Sequence, residues 1–277
     1  MRIGILGYGS VGRAVSQLGG VFPVAVYDPN IAAYSHTAHK HEALAADVVF
    51  CCAPTNATPD GSLDTSIVEA LIFDFAARKS AGIFVVKSTV TPGTTQTLAA
   101  RHGVDRLVSC PEFLSERTAD ADFCNPVDVV IGGTPADAAS LRACLDRFYQ
   151  FGEDSTRYTL CSATEAELIK SARNAFYAVK ISFMNELADV CARLGVDYAS
   201  FRQHLTMNGE HPWLNGQHTM VPGPDGRFGF GGKCLAKDAR DLLELSMTLD
   251  APMRMVEASL TVNAQHRPVK PEAGETK

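Results

Sequence analysis

The sequence lacks several features that would place it in a special class of protein. No apolar run approaches the roughly 18 residues that a membrane-spanning helix needs, so no such helix is predicted. Eight cysteines are present, but there is no Cys-x-x-Cys, and their scattered spacing is not that of a disulfide framework. We therefore expect free, mostly buried thiols. A formal net charge of −6 argues against non-specific nucleic-acid binding.

The first residues also lack the zones of a secretory signal peptide. The segment RIGILG enters a strand pattern at once, without a separate charged and apolar zone. These absences predict a cytoplasmic protein without membrane contact. Hydrophobic residues make up 46% and charged residues 20% of the 277 residues, which predicts one or two globular domains with a packed core.

Short apolar strands alternate with helical patterns over about the first 160 residues. Helical segments such as 65–81 lie between the strands. This alternation is typical of an α/β fold with a doubly wound parallel sheet, the Rossmann arrangement. The strands are predicted at 2–6, 24–27, 47–52 and 82–86, with weaker ones at Val108 and 129–131.

One long amphipathic helix is predicted after residue 160. Apolar residues recur at spacings of three and four between Ala172 and Leu194. Thr164 and Glu167 have the spacing of a capping box at its start, and Gly195 is a suitable stop. Helices are also predicted at 197–205 and 235–265, on either side of a loop rich in Gly and Pro at 210–233.

This change of pattern predicts a division of the chain. We expect a dinucleotide-binding Rossmann domain at 1–160 and an all-helical central domain at 161–267. The polar residues 268–277 are expected to form a tail.

A glycine-rich turn follows the first strand. Gly7-x-Gly9-x-x-Gly12 precedes a helix, and Asp28 ends the next strand. The glycines let a backbone approach a pyrophosphate, whose charge faces a helix N-terminus. A carboxylate at Asp28 would accept ribose hydroxyls and repel a 2′-phosphate, so this fingerprint predicts NAD rather than NADP. The alternative is a structural turn of another α/β protein.

Two further polar segments follow predicted strands. Residues 87–95, KSTVTPGTT, lie where open parallel sheets bind ligands. Hydroxyls facing a nicotinamide and a capped helix start both fit this segment. The loop 111–116 carries the carboxylates of Glu112 and Glu116, and the spacing leaves a catalytic base and a solvated loop equally open.

Two groups of residues in the second half of the chain are candidates for catalysis. Lys170 and Asn174 are one helical turn apart and can hold an anionic oxygen together, or form an exposed polar face. The segment GFGGKCLAKD delivers Cys234 to the start of a helix, where a thiolate is favoured, and places Asp238 one turn later. The alternative for Cys234 is a small buried hydrophobic residue.

A cluster of histidines follows the second strand. His36, His39 and His41 have a spacing that metal ligands can have, but no acidic or cysteine partner accompanies them. We predict a surface connection and no metal.

These segments together resemble the nucleotide-sugar 6-dehydrogenase family, which includes UDP-glucose and GDP-mannose dehydrogenases. The family joins a Rossmann domain through a long helix to a second Rossmann domain, and it oxidises a C6 alcohol to a carboxylate in two NAD-dependent steps for polysaccharide biosynthesis. The blocks that match, in the family's order over about residues 1–265, are GYGSVG, CAPT with DGSLDTS, KSTVTPGTT, PEFLSE, EAELIKSARNAFYAVKISFMNELA and GFGGKCLAKD.

The resemblance implies a role for each matching position. Cys234 would trap the aldehyde as a thiohemiacetal and then carry a thioester, which Glu116 would help to hydrolyse. Lys170 and Asn174 would stabilise the oxyanion, and Asp238, with Thr89 and a water, would take the first proton. Cofactor contacts are implied for Gly7, Tyr8, Gly9, Ser10, Val11, Gly12, Asp28, Pro54, Thr55, Ser88, Thr89, Glu116 and Lys237. Substrate contacts are implied for Phe113, Leu114, Lys170, Asn174, Phe230 and Gly231.

The chain departs from the family's pattern on the substrate side. It resembles a short form without the family's C-terminal nucleotide-binding domain. A separate chain would then supply that part of the site, or the substrate would be smaller or held differently, or activity would be lost. The segment 210–216 holds no arginine where the family has one, and an insertion, PGPDGR, occupies 222–227. Arg117 stands where the family often has glycine.

Three functions therefore remain open. The first is the alcohol-to-acid dehydrogenase that uses NAD and Cys234. The second is a two-electron β-hydroxyacid-type dehydrogenase, which needs no nucleophilic thiol. The third is a non-catalytic NAD- or sugar-binding subunit of a split enzyme. The resemblance also implies a homodimer through the helix at 164–194, a small-molecule substrate, and no nucleic-acid or membrane partner.

Overall fold

The computed structural model describes residues 1–115, 117–149, 157–210, 214, 216, 218–232 and 234–267. Within these residues, the strands are β1 (Ile3–Leu6), β2 (Val24–Tyr27), β3 (Val48–Cys51), β4 (Ile83–Val86), β5 (Leu107–Ser109), β6 (Val129–Gly132) and β7 (Tyr158–Cys161). The helices are α1 (Ser10–Val15), α2 (Thr37–Leu44), α3 (Ser66–Ala76), α4 (Thr94–His102), α5 (Ala119–Cys124), α6 (Pro135–Tyr149), α7 (Ala163–Leu194), α8 (Tyr198–Leu205), α9 (Leu235–Thr248) and α10 (Arg254–His266). Short 3-10 turns lie at Ser16–Gly20 and Met207–Gly209.

The chain forms two compact units. The first contains Met1–Thr58 and Leu63–Ser171, and the second contains Pro59–Ser62 and Ala172–Lys277. The helix α7 is continuous over 32 residues and contributes its first turns to one unit and the remainder to the other. Nothing in the sequence periodicity marks this point, and the predicted division after residue 160 stays a prediction.

The first unit is built on one sheet with the strand order β2-β1-β3-β4-β5-β6-β7. The first five strands in that order are parallel, as predicted, with Ile3 opposite Val24 on one side and Val48 on the other. The pair β5–β6 is antiparallel and meets at Ser109 and Gly132. Among its described residues, the connection between these two strands contains the six-residue helix α5, and the chain enters β6 from the carboxyl edge of β5.

Apolar side chains cover both faces of this sheet, because successive side chains of a strand point in opposite directions. Ile3, Phe50 and Val85 pack in one cluster with residues of α1 and α6. Their neighbours Val49 and Phe84 pack in the other cluster with residues of α2, α3 and α4. The doubly wound Rossmann-type sheet predicted from the sequence is thus confirmed.

The described part of the second unit is helical, apart from loops and the 3-10 turn. Its core joins α7, α9 and α10 through Ala178, Ala239, Leu242 and Val256, and Phe230 from the preceding loop is buried in it. The prediction of an all-helical region after the sheet is confirmed for these residues.

Two local predictions were wrong. The helix predicted over 235–265 is two helices, because Pro252 cannot continue a helix and Asp250 adopts a positive φ of 54°. The capping box also lies elsewhere: Ser162, not Thr164, precedes α7, and its hydroxyl accepts the N–H of Glu165 at 3.2 Å. The carboxylate of Glu167 is then free for another use.

Candidate functional site

The glycine-rich turn has the backbone that a dinucleotide requires. Gly7 has a φ of +93°, which favours glycine, and a Cβ at Gly12 would overlap the carbonyl of Gly7. A Cβ at Gly9 would meet nothing within 4 Å, so the chain is open to a ligand on that side. Ser10 begins α1 directly after this opening. Tyr8 and Val11 complete the turn.

Asp28 follows β2 and faces the turn. Its Oδ2 accepts the N–H of Tyr8 at 2.7 Å, and its Oδ1 accepts the N–H of Asn30 at 2.8 Å. Each carboxylate oxygen has a further lone pair, so Asp28 can still accept two hydroxyls. The turn and this carboxylate therefore fit the pyrophosphate and ribose of NAD.

The loops that follow β3 and β4 are tied to each other. The hydroxyl of Ser88 donates to the carbonyl of Ala53 at 2.7 Å, and the hydroxyl of Thr55 donates to the carbonyl of Thr89 at 2.7 Å. Pro54 is exposed beside the buried Thr55. Ser88 and Thr55 thus fix the backbone that carries Thr89, whichever molecule that loop binds.

A buried ion pair lies at the same edge of the sheet. Lys87 Nζ is 2.7 Å from Glu112 Oε2, and the lysine side chain is 6% exposed. Cys110 Sγ lies 3.9 Å from the same Nζ. Burial lowers the pKa of Lys87, but its neighbours Cys110 and Glu112 raise it by more, so the ammonium stays charged. Glu112, for which the sequence left a role as catalytic base open, is therefore engaged in an ion pair with Lys87.

Lys170 is also buried, with 9% exposure, rather than part of an exposed polar face. Its Nζ lies 5.4 Å from the ring centroid of Phe113, within the range of a cation–π contact. Phe113 and the adjacent Leu114 are half-buried. The predicted substrate residue Phe113 and the predicted catalytic residue Lys170 therefore lie together in the first unit.

Glu167 was missed as a site residue. Its carboxylate accepts the N–H of Gly93 at 2.6 Å and of Thr95 at 2.9 Å, which caps the start of α4. It thereby ties the loop that contains Thr89 to the helix α7, one turn before Lys170. The segment TEAE predicted the start of α7, but no spacing in the sequence predicted that Glu167 would bind the start of α4.

The second unit holds a buried polar pair. Asn174 Nδ2 donates to Asp238 Oδ2 at 2.5 Å, and the other oxygen of Asp238 lies 2.6 Å from Lys237 Nζ. Asp238 is 1% exposed and Asn174 is 6% exposed. The pair links α7 to the first turn of α9. An amide nitrogen carries a second N–H, so Asn174 retains a donor for an oxyanion.

Cys234 lies at the N-cap of α9, and its side chain is exposed. Its carbonyl accepts the N–H of Asp238 at 2.9 Å, so the thiol and the carboxylate belong to the same helical turn. Phe230 is buried and Gly231 is half-buried in the loop that leads to this turn. This exposure excludes the alternative that Cys234 is a small buried hydrophobic residue.

Some predicted features fall elsewhere. Glu116 and the tail at 268–277 lie outside the described residues. His36 caps α2 through its Nδ1, which accepts the N–H of Ala38 at 3.2 Å. The residues that the structure describes hold no cluster of three or more His, Cys, Asp or Glu suited to a metal ion. None of their helices is long and apolar enough to cross a membrane.

Two family models match this chain. Residues 25–151 match the NAD-binding domain of the UDP-glucose/GDP-mannose dehydrogenase family, and residues 164–265 match the central domain of that family. The prediction of NAD as cofactor is thus confirmed at the level of the family.

Individual relatives agree with these matches. A UDP-glucose 6-dehydrogenase of Pseudomonas aeruginosa is 35% identical over 83% of this chain and 51% of its own length. The structure of a UDP-glucose dehydrogenase from Pyrobaculum islandicum is 30% identical, with a TM-score of 0.80 over 95% of this chain and 68% of that one. The chain spans about half the length of the curated relatives it matches.

The fold is shared more widely. A 3-hydroxyisobutyrate dehydrogenase from Mycobacterium tuberculosis is 20% identical, with a TM-score of 0.70 over 95% of this chain and 92% of that one, a likeness of fold alone. The family models and the relatives of higher identity favour the nucleotide-sugar dehydrogenases over the hydroxyacid dehydrogenases. The chain belongs to the UDP-glucose/GDP-mannose dehydrogenase family.

Proposed function

We propose that this chain is an NAD-dependent nucleotide-sugar 6-dehydrogenase, which oxidises the C6 alcohol of a substrate such as UDP-glucose to a carboxylate. The observation that carries the proposal is the first turn of α9. Cys234 is exposed at its N-cap, and Asp238 is buried one turn later against Asn174. The names of the relatives, UDP-glucose 6-dehydrogenase among them, support this substrate class.

The first unit holds the cofactor. The turn Gly7–Gly12 receives the pyrophosphate, Asp28 accepts the ribose hydroxyls, and the loops with Thr55 and Ser88 line the nicotinamide side. When bound, NAD takes a hydride from the substrate carbon, and the protein supplies orientation and charge. In the structure, Lys237 Nζ lies 2.6 Å from Asp238 Oδ1.

The first oxidation requires a place for the alcohol proton. Asp238 takes this proton, since a carboxylate is a competent general base. The buried Asn174–Asp238 hydrogen bond keeps that carboxylate in one orientation. The product of this step is an aldehyde at C6.

The second oxidation needs a covalent hold on that aldehyde. The thiolate of Cys234 forms a C–S bond to the aldehyde carbon, and the carbonyl electron pair moves to oxygen, which gives a thiohemiacetal. Lys170 and Asn174 stabilise the negative oxygen. The hydride on this carbon passes to a second NAD⁺, which leaves a thioester. Water then adds with the help of Glu116, the C–S bond breaks, and the carboxylate and the thiolate separate.

The test is the stoichiometry of NADH formed with a panel of nucleotide sugars and free sugars. Two NADH and one acid for each substrate molecule are expected. One NADH would support the two-electron alternative. No NADH from any substrate, with NAD bound, would support a non-catalytic subunit.

Substitution of the thiol tests the covalent step. Cys234→Ala is expected to abolish acid formation, because no thioester can form. Cys124→Ala is the matched control, since Cys124 is the other exposed cysteine of the chain. Undiminished acid formation in Cys234→Ala would remove the thioester mechanism.

A further inference from the structure

Hydrogen bonds from the end of α10 hold the loop before Cys234. Asn263 Oδ1 accepts the N–H of Phe230 at 2.7 Å, and Asn263 Nδ2 donates to the carbonyl of Phe230 at 3.0 Å. From α7, Asn185 Oδ1 accepts the N–H of Gly229 at 2.9 Å. Three hydrogen bonds from two helices therefore fix the backbone at the start of this loop.

Arg267, one residue beyond α10, also contacts this loop. A Cβ at Gly231 would overlap the guanidinium carbon of Arg267 and lie 2.7 Å from its Nε. The arginine side chain is 15% exposed, so it is held against the glycine rather than extended into solvent. Glycine is thus required at 231 for as long as Arg267 keeps this position.

The guanidinium is held in turn by the insertion that separates this chain from its family's pattern. Arg267 Nη2 lies 2.6 Å from Asp225 Oδ2, and this hydrogen bond lowers the pKa of Asp225. Phe228 stacks on His266, with ring centroids 6.4 Å apart. An ion pair with a half-exposed partner adds little to folding stability. Its consequence here is geometric, since it fixes the side chain that follows α10 on the loop of Cys234.

We propose that Arg267 is a positioning residue for Cys234: anchored by Asp225, it seats Gly231 and so fixes the loop that brings the thiol to the start of α9. The inference rests on the proposed function, in which Cys234 is the nucleophile. It gives the insertion at 222–227 a role in the reaction.

Thiol alkylation tests this directly and needs no substrate. Cys124→Ser is used as the background, so that Cys234 is the one remaining exposed cysteine. The rate of iodoacetamide alkylation is measured by intact mass as a function of pH. Arg267→Ala is expected to change the alkylation rate several-fold at neutral pH, because the released loop no longer holds the thiol at the start of α9. Arg254→Ala, an exposed arginine of the same helix, is the matched control.

Steady-state kinetics provide the second readout. Arg267→Ala is expected to lower kcat by about one order of magnitude, as misplacement of a reacting group does, with little change in the KM for NAD. Arg267→Lys should recover only part, because an ammonium lacks the planar fork. Gly231→Ala should reproduce the defect by displacing the guanidinium, and the two substitutions should not add.

Each outcome decides the proposal. Alkylation and kcat of Arg267→Ala equal to those of Arg254→Ala would overturn it. If Arg267→Ala does not fold, Asp225→Ala takes its place, since this carboxylate is exposed, and unchanged rates there would overturn the proposal too. Acid formation that survives in Cys234→Ala overturns the proposed function itself. Acid formation lost in Cys234→Ala but unchanged in Arg267→Ala overturns this inference alone.

Discussion

Asp28 has two tasks at the scale of a single residue. It receives the N–H groups of Tyr8 and Asn30, which holds the glycine-rich turn beside β2. It also keeps acceptor capacity on the side from which ribose hydroxyls would come. Removal of the carboxylate should therefore affect the turn and the ligand together.

Asp28→Ala is expected to weaken NAD binding by about 10- to 100-fold, since hydrogen bonds to a charged group contribute roughly 1.5–3 kcal/mol. Isothermal titration calorimetry with NAD measures this directly. Asp146→Asn, a substitution on α6 of the same unit, should leave the affinity unchanged. A normal affinity in Asp28→Ala would mean that the turn does not bind the cofactor.

Glu167 predicts a dependence of stability on pH. Burial is the largest influence on this carboxyl and raises its pKa, although the N–H groups of Thr95 and Gly93 lower it. A carboxyl with a higher pKa in the folded state binds its proton more readily when folded. Its contribution to stability is complete below the unfolded value and is lost as the pH rises through the folded value.

Urea unfolding of Glu167→Gln beside the wild type tests this sign. The free energy of unfolding of the wild type should fall relative to the variant as the pH rises from the ordinary carboxyl range toward neutrality. Curves that stay parallel over this range would contradict the prediction. The variant also replaces one acceptor of the α4 cap with a donor, so a constant offset between the curves is expected.

At the scale of an element, α7 presents an apolar face that the described residues leave exposed. Phe176, Phe183 and Val190 are 64%, 54% and 49% exposed. Their spacing of seven residues keeps them on one side of the helix, with a drift of about 20° per repeat. The predicted homodimer through this helix would bury that face.

The double substitution Phe176→Glu and Phe183→Glu is expected to give a monomer in size-exclusion chromatography with light scattering. Any fall in the unfolding temperature should reflect the lost dimer contact, because both rings lie outside the core of the chain. Phe73→Glu is the matched control, as Phe73 is 58% exposed on α3. A wild-type chain that is already monomeric would refute the dimer.

Elements with strong periodicity were predictable from the sequence, and their partners were not. The pattern gave α7 to within a residue at its ends, and the turn of Gly7 led to Asp28. The strand β7 was not predicted, because its side chains show no alternation of burial. Contacts such as Lys87 with Glu112, or Glu167 with the start of α4, join distant segments, and no spacing along the chain encodes them.

At the scale of the whole molecule, the continuous α7 should couple the unfolding of the two units. A ligand that binds only the folded state stabilises it, by about 2.7 kcal/mol at a hundred times its Kd. We expect one calorimetric transition that NAD moves as a whole to higher temperature. Two transitions, of which NAD moves one, would show that the helix does not transmit this stabilisation.

The continuity of α7 also constrains how the gene can change. An α-helix turns by about 100° for each residue, so one inserted codon between those for Lys170 and Asn174 would rotate the rest of the helix by that angle. Every residue after the insertion, from Asn174 to Leu194, would then face a new direction. Insertions and deletions are therefore expected to be excluded from this stretch, while substitutions on the exposed face remain open to drift.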